Sequence, residues 1–115
     1  MIIKENIEEK PQSGRKSKEQ KRKEAQARQT ISKERSVLQK RIEFIEQELE
    51  KIEAEKIDKE TKMAEPETYS QPELIKRVKK EYDALDLRIK EYEKEWEELQ
   101  IKYEDLLQQL NNIEL

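Results

Sequence analysis

IKRVKKEYDALDLRIKEYEKEWEELQIKYEDLLQQLNNI, residues 75–113, carries apolar side chains at alternating three- and four-residue spacing without a gap. They are Ile75, Val78, Tyr82, Leu85, Ile89, Tyr92, Trp96, Leu99, Tyr103, Leu106, Leu110 and Ile113, and almost everything between them is charged or amide. A 3.5-residue repeat keeps one narrow face toward a partner helix, which makes this stretch the seam of a coiled coil. A seam of that width buries side chains but does not wall off a reaction pocket. The pattern therefore argues against an enzyme.

Composition agrees. Charged residues make up 46% of the 115-residue chain and apolar ones 32%, with a single Gly. Such proportions fit either disorder or long solvated helices, and the sustained period selects helices. There is no Cys and no His, which removes the disulfide framework, the thiolate metal site, the commonest general base and the usual zinc ligand. No apolar run approaches the ~18 residues of a membrane span, and residues 1–10 lack a signal-peptide core. A cytoplasmic location and the absence of a bound metal or cofactor follow as expectations.

Toward the N-terminus the seam has a partner. Ile31, Leu38, Ile42, Ile45, Leu49 and Ile52 repeat the spacing, Arg35 interrupts it, and Lys56 and Lys59 occupy seam positions before Met63 resumes it. A first helix is expected over 16–64, with Ser17 and Gln20 as a capping box, because Glu65 precedes Pro66 and pre-proline residues avoid helical backbone. A hinge is expected at 65–70 and a second helix over 71–112. Ser70 and Glu73 read as its capping box, Pro72 as a first-turn proline, and Tyr69 with Leu74 as a hydrophobic staple. Residues 1–15 end in Pro11, Gln12, Ser13 and Gly14 and read as a disordered linker or arm. A hydrophobic start followed by such a break suggests a piece of something longer.

Two long helices joined by a short proline-flanked turn predict an all-α fold, a two-helix antiparallel coiled-coil hairpin with a flexible N-terminal arm. A parallel homodimer would prefer β-branched residues and leucine where this seam has Tyr82, Tyr92, Trp96 and Tyr103. A tight reversal at the hinge places Ile52 by Tyr82, Leu49 by Leu85, Ile45 by Ile89, Ile42 by Tyr92 and Leu38 by Trp96. A slip of one heptad is the alternative register. At the open end Leu106, Leu110 and Ile113 would meet only Arg28, Ala27 and Glu24, which suits weak self-association or a neighbouring domain.

Charge is unevenly spread. Arg15, Lys16, Lys18, Lys21, Arg22, Lys23 and Arg28 stand against only Glu19 and Glu24, although the net charge is −3. This stretch is either a phosphate-contacting helix with salt-sensitive affinity or a solvated linker helix. A second patch, Tyr69, Lys76, Arg77, Lys79 and Lys80, reads as an RNA grip or as a helix cap with bases complementing Glu73 and Glu81. Trp96 and the tyrosines belong to core packing, with hydroxyls at the hairpin edge. Adjacent acids such as Glu97–Glu98 and Glu104–Asp105 diverge around the helix and form a solvated face. Arg35 sets register, lies over Tyr103, or extends its head to solvent.

From Ser32 to Gln100 the chain resembles the C-terminal coiled-coil domain of ABC-F ATPases, proteins with two ATP-binding cassettes and no membrane domain. The resemblance rests on KSKEQKRKEAQARQ at 16–29, MAEPETYSQPE at 63–73, and KEWEELQ at 94–100 with its single tryptophan. It implies a non-catalytic arm of an ATP-hydrolysing parent, with DNA or ribosomal RNA as the partner of the basic segment. ATP and Mg would belong to the parent's cassettes, because a chain whose one glycine is Gly14 holds no Walker A loop. The competing class is a purely structural or protein-interaction coiled coil, a spacer or dimerisation module. A membrane-surface helix suits the narrow seam and acidic flanks poorly.

Overall fold

The computed structural model describes residues 17–114; the arm expected at 1–15, and with it Arg15 and Lys16, lies outside them. Helix α1 spans Lys18–Met63, α2 Pro66–Tyr69 and α3 Pro72–Glu114, and among the described residues there is no strand. Helices α1 and α3 lie against each other as an antiparallel hairpin. At a rise of ~1.5 Å per residue, α1 alone is a rod of roughly 70 Å.

Local chemistry sets both ends of α1. Ser17 is extended (φ −67°, ψ 162°), and its hydroxyl accepts the Gln20 N–H at 3.1 Å. That satisfies one of the donors a helix start leaves open. At the other end Glu65, held before Pro66, turns extended (φ −84°, ψ 133°) and stops the helix.

The hinge is not a bare turn. Pro66 takes the first position of α2, where its fixed φ suits a helix and its missing N–H costs nothing. The Ser70 N–H then donates to the Pro66 carbonyl at 3.1 Å, and Ser70 sits in helical space (φ −79°, ψ −6°) as the end of α2. An N-cap needs an extended backbone, so the capping box expected at Ser70–Glu73 does not form. The Gln71 carbonyl accepts the first α3 amide, from Ile75, at 3.0 Å, and its side-chain amide donates to the Glu67 carbonyl at 2.6 Å. Tyr69 is 57% exposed.

This extra helical turn moves the register. Trp96 Nε1 donates to Glu46 at 3.0 Å, where the tight turn would have put Trp96 beside Leu38. The Tyr82 hydroxyl donates to Glu60 at 3.2 Å, eight residues from the Ile52 neighbour expected for it. On the other flank Phe44 meets Tyr92 edge-on, with centroids 6.5 Å apart. The hairpin thus takes the alternative register, one heptad from the tight-turn pairing, with Leu99 clustered on Ile42 and Ile89 on Ile52. The cause is α2, which carries the chain outward before it reverses.

The core is the two seams. Ile45 is fully buried and clusters with Ile42 and Leu99, while Ile52, Leu85 and Ile89 form the next cluster; Leu49 and Tyr92 pack against both. Ile31 is buried near the open end and Val78 near the hinge. Leu106, Leu110 and Ile113 are half-buried, as are Ala27 and Arg28 opposite that end. Arg35 is half-buried and has no ion pair or ring contact among the described residues; the cations over rings are Arg41 on Phe44 and Lys56 on Tyr82. The proposed contact of Arg35 with Tyr103 is absent there.

Truncating Ile45 to Ala should lower unfolding free energy by about 2–5 kcal/mol, the cost of an unfilled core site. Val37→Ala, at a side chain left 67% exposed, should change it by less than ~0.5 kcal/mol. Urea unfolding followed by far-UV circular dichroism reads both.

Candidate nucleic-acid interface

The basic start of α1 projects from a helix. Lys18, Lys21 and Arg22, at the spacing that places residues on one face, are all exposed and have no ion pair among the described residues. Lys23 sits 3.9 Å from Glu19, a loose contact between side chains 73% and 68% exposed. Such a pair is solvent-screened and leaves the lysine available. Arg28 is half-buried beside the seam, apart from the exposed group. The structure therefore gathers Lys18, Lys21, Arg22 and Lys23 into a cationic stretch and sets Arg28 aside.

The second patch is divided. Lys79 is engaged by Asp83 at 2.9 Å, and Glu81, expected to serve the bases of its own helix, reaches across to Lys59 at 3.1 Å. Lys76, Arg77 and Lys80 have no ion pair among the described residues. Arg77 lines a cleft against the hinge that Lys76, Lys79 and Lys80 do not line.

Three kinds of polar contact tie the helices together. On one flank Arg41 grips Glu95 with two nitrogens, at 2.7 and 3.0 Å, and Arg88 reaches Glu48 at 4.0 Å. On the other, Lys56 meets Asp86 at 2.8 Å while standing 5.2 Å from the Tyr82 ring centre. The hydrogen bond from Arg41 holds the Glu95 carboxyl below its ordinary value, and that from Lys56, aided by Lys90, does the same to Asp86. Arg41 and Lys56 are raised in return by the same bonds. Lys56 and Lys59 are visible in the sequence as cations on the seam. Their partners Asp86 and Glu81, like Arg41–Glu95, depend on the register and have no sequence signal of their own.

Glu97, Glu98, Glu104 and Asp105 are exposed, and among the described residues no group of three or more acids is placed to hold a metal ion. No helix among them is long and apolar enough to cross a membrane. Two long helices packed on a thin seam with charged flanks define a helical-hairpin domain. The family model described as the ABC transporter C-terminal domain matches residues 33–100, and the chain belongs to that family. Searches of curated proteins and of solved structures found no match.

The paired carboxyls make the hairpin acid-sensitive. A carboxyl whose folded pKa is depressed contributes stability above its unfolded value, here about 4.5 for Glu95 and 3.8 for Asp86, and loses it as pH falls through the folded value. Thermal melting should therefore hold steady from neutral pH to about 5 and drop as pH is lowered from 4 toward 2. Glu95→Gln and Asp86→Asn together should lower the neutral-pH melting temperature and flatten the acid limb.

Proposed function

We propose that the chain is the nucleic-acid-binding C-terminal arm of an ABC-F-type ATP-binding protein and takes no part in the chemistry of its parent. The observation that carries this reading is the exposed cationic stretch Lys18, Lys21, Arg22 and Lys23 at the start of α1, just ahead of the family match. Bases on a helix surface track phosphates by charge alone, through release of condensed counterions, without reading sequence. Few amide side chains accompany them to read base edges. DNA and ribosomal RNA both offer the backbone this stretch requires. ATP and Mg would bind the cassettes of the parent, and the arm would extend the parent's footprint on its partner.

A protein-docking role has its own support. Val37 is 67% exposed and Phe44 43%, and Val37 lines a shallow groove of about 500 Å³ with Leu38, Leu106 and Lys102. A mostly apolar groove with an exposed valine at its wall offers a partner helix a surface to cover. The two readings part on which residues matter.

Fluorescence anisotropy of the 115-residue chain with labelled duplex DNA, single-stranded DNA and a ribosomal RNA helix decides between them. Under the proposal binding weakens steeply from low to near-physiological salt. Lys21→Glu, Arg22→Glu and Lys23→Glu together abolish it or cut the salt slope by roughly two to three, while Leu106→Gln with Leu110→Gln leaves it intact. No binding at low salt, or binding indifferent to the charge reversal, would overturn the proposal in favour of protein docking.

A further inference from the structure

Thr68 stands out among the described residues as the one buried polar side chain, with 6% of its surface exposed. Its backbone is fully engaged: the N–H donates to the Glu65 carbonyl at 2.9 Å, and the carbonyl accepts from Gln71 at 3.1 Å. Its hydroxyl has no partner among the described residues. Buried hydroxyls are nearly always hydrogen-bonded, and a threonine on a helix usually turns its hydroxyl back to the carbonyl four residues earlier. Thr61 does so in this protein, donating to the Ile57 carbonyl at 3.0 Å. Thr68 does not, and it lines a cleft of about 420 Å³ between the hinge and the two long helices.

The charges around that cleft are not all spent. Lys59, Lys62 and Arg77 line it against Glu65 and Glu81. Glu81 is neutralised by Lys59 at 3.1 Å. Lys62 holds Asp58 at 3.4 Å through side chains 49% and 59% exposed, a pair that solvent keeps exchangeable. Arg77 has no ion pair among the described residues. A cation would find only Glu65 uncommitted. An oxyanion would find a guanidinium fork, a second exchangeable ammonium and a buried hydroxyl donor, the set that suits a phosphate group.

We infer that this hinge cleft is a phosphate-binding site, with Arg77 as its charged anchor and the Thr68 hydroxyl as its buried donor. The ligand's phosphate is either the monoester or free ion of a small molecule or the diester of a nucleic-acid backbone, since both present the same oxygens. The site stands apart from the basic start of α1. Some forty-odd helical residues, roughly 65 Å, separate Lys21 from the hinge, so the inference does not rest on the proposed function.

Amide and arginine side-chain NMR of the 115-residue chain provides the test. Inorganic phosphate is titrated against sodium chloride at equal ionic strength, with a short duplex RNA as the second arm. The expected result is a saturable shift of the Thr68 and Tyr69 amides and of the Arg77 side chain. Arg77→Gln should abolish it, and Thr68→Val, which keeps the buried shape, should weaken affinity about tenfold. Reversing Lys21, Arg22 and Lys23 should leave the phosphate response untouched, which separates this site from the other. Saturation by inorganic phosphate identifies a free phosphate group; a response to the duplex alone, still lost in both hinge variants, identifies the diester. No saturable hinge shift in either arm, or shifts that persist in both variants, would overturn the inference.

Discussion

The short helix at Pro66–Tyr69 decides which residue of α1 meets which residue of α3. A heptad seam is degenerate, since sliding one helix along the other still sets apolar against apolar. The turn breaks that degeneracy. Pro66 makes four residues helical, the chain advances before it reverses, and α3 is drawn along α1 by one heptad. The cross-helix pairs are readings of that one displacement: Glu46 with Trp96, Glu60 with Tyr82, Lys56 with Asp86 and Arg41 with Glu95. Changing the length of the hinge would detach all of them together.

Those pairs matter more for specificity than for stability. The Arg41 and Glu95 side chains are 45% and 36% exposed, and solvent at that exposure screens most of their attraction. The free energy of the hairpin comes from side chains such as Ile45, Ile52 and Leu99, each worth roughly 1.5–3 kcal/mol when buried. A slipped register would keep most of that burial. It would also strand Lys56 and Lys59 on the seam, where both are now half-buried beside a carboxylate. A cation left there without its partner would have to turn its head out to solvent and uncover the seam beneath its stem. The two seam lysines thus act against slippage, the role usually given to a lone polar residue in a coiled coil.

Much of this is legible in the sequence because a 3.5-residue repeat over many turns has one structural meaning. Val78, Leu85, Ile89 and Leu99 are buried on α3, and Ile31, Ile42, Ile45 and Ile52 on α1, all on the seam that spacing alone identifies. What spacing leaves open is the phase between two such seams. That phase depends on whether PETY forms a turn or a helix, and a proline is equally at home in a tight turn and in a helix's first position. The same ambiguity misplaces the cap of α3, since Ser70 ends one helix and is thereby unable to begin the next. The exposed cations of the α1 start follow directly from their spacing. Arg77 is visible only as one base among four, and Thr68 as a hinge residue; nothing in the linear chain says that they share a cleft.

A rod of this kind separates its charged features by length. A compact domain of equal size would bring bases from distant segments onto one patch, where their fields add. Here Lys18, Lys21 and Arg22 lie at one end of α1 and Arg77 lies by the hinge at the other, several screening lengths apart at physiological salt. Neither group strengthens the other through the field. Any ligand that engages both must span the distance physically, and contacts joined through a rigid scaffold gain from effective concentration only when the ligand's own geometry fits the span. A stiff duplex laid along the hairpin meets that condition, whereas a mononucleotide or a free phosphate engages one end alone. The length of α1, an uninterrupted helix over Lys18–Met63 between the Ser17 cap and the proline stop, therefore sets how far apart these two charged features lie.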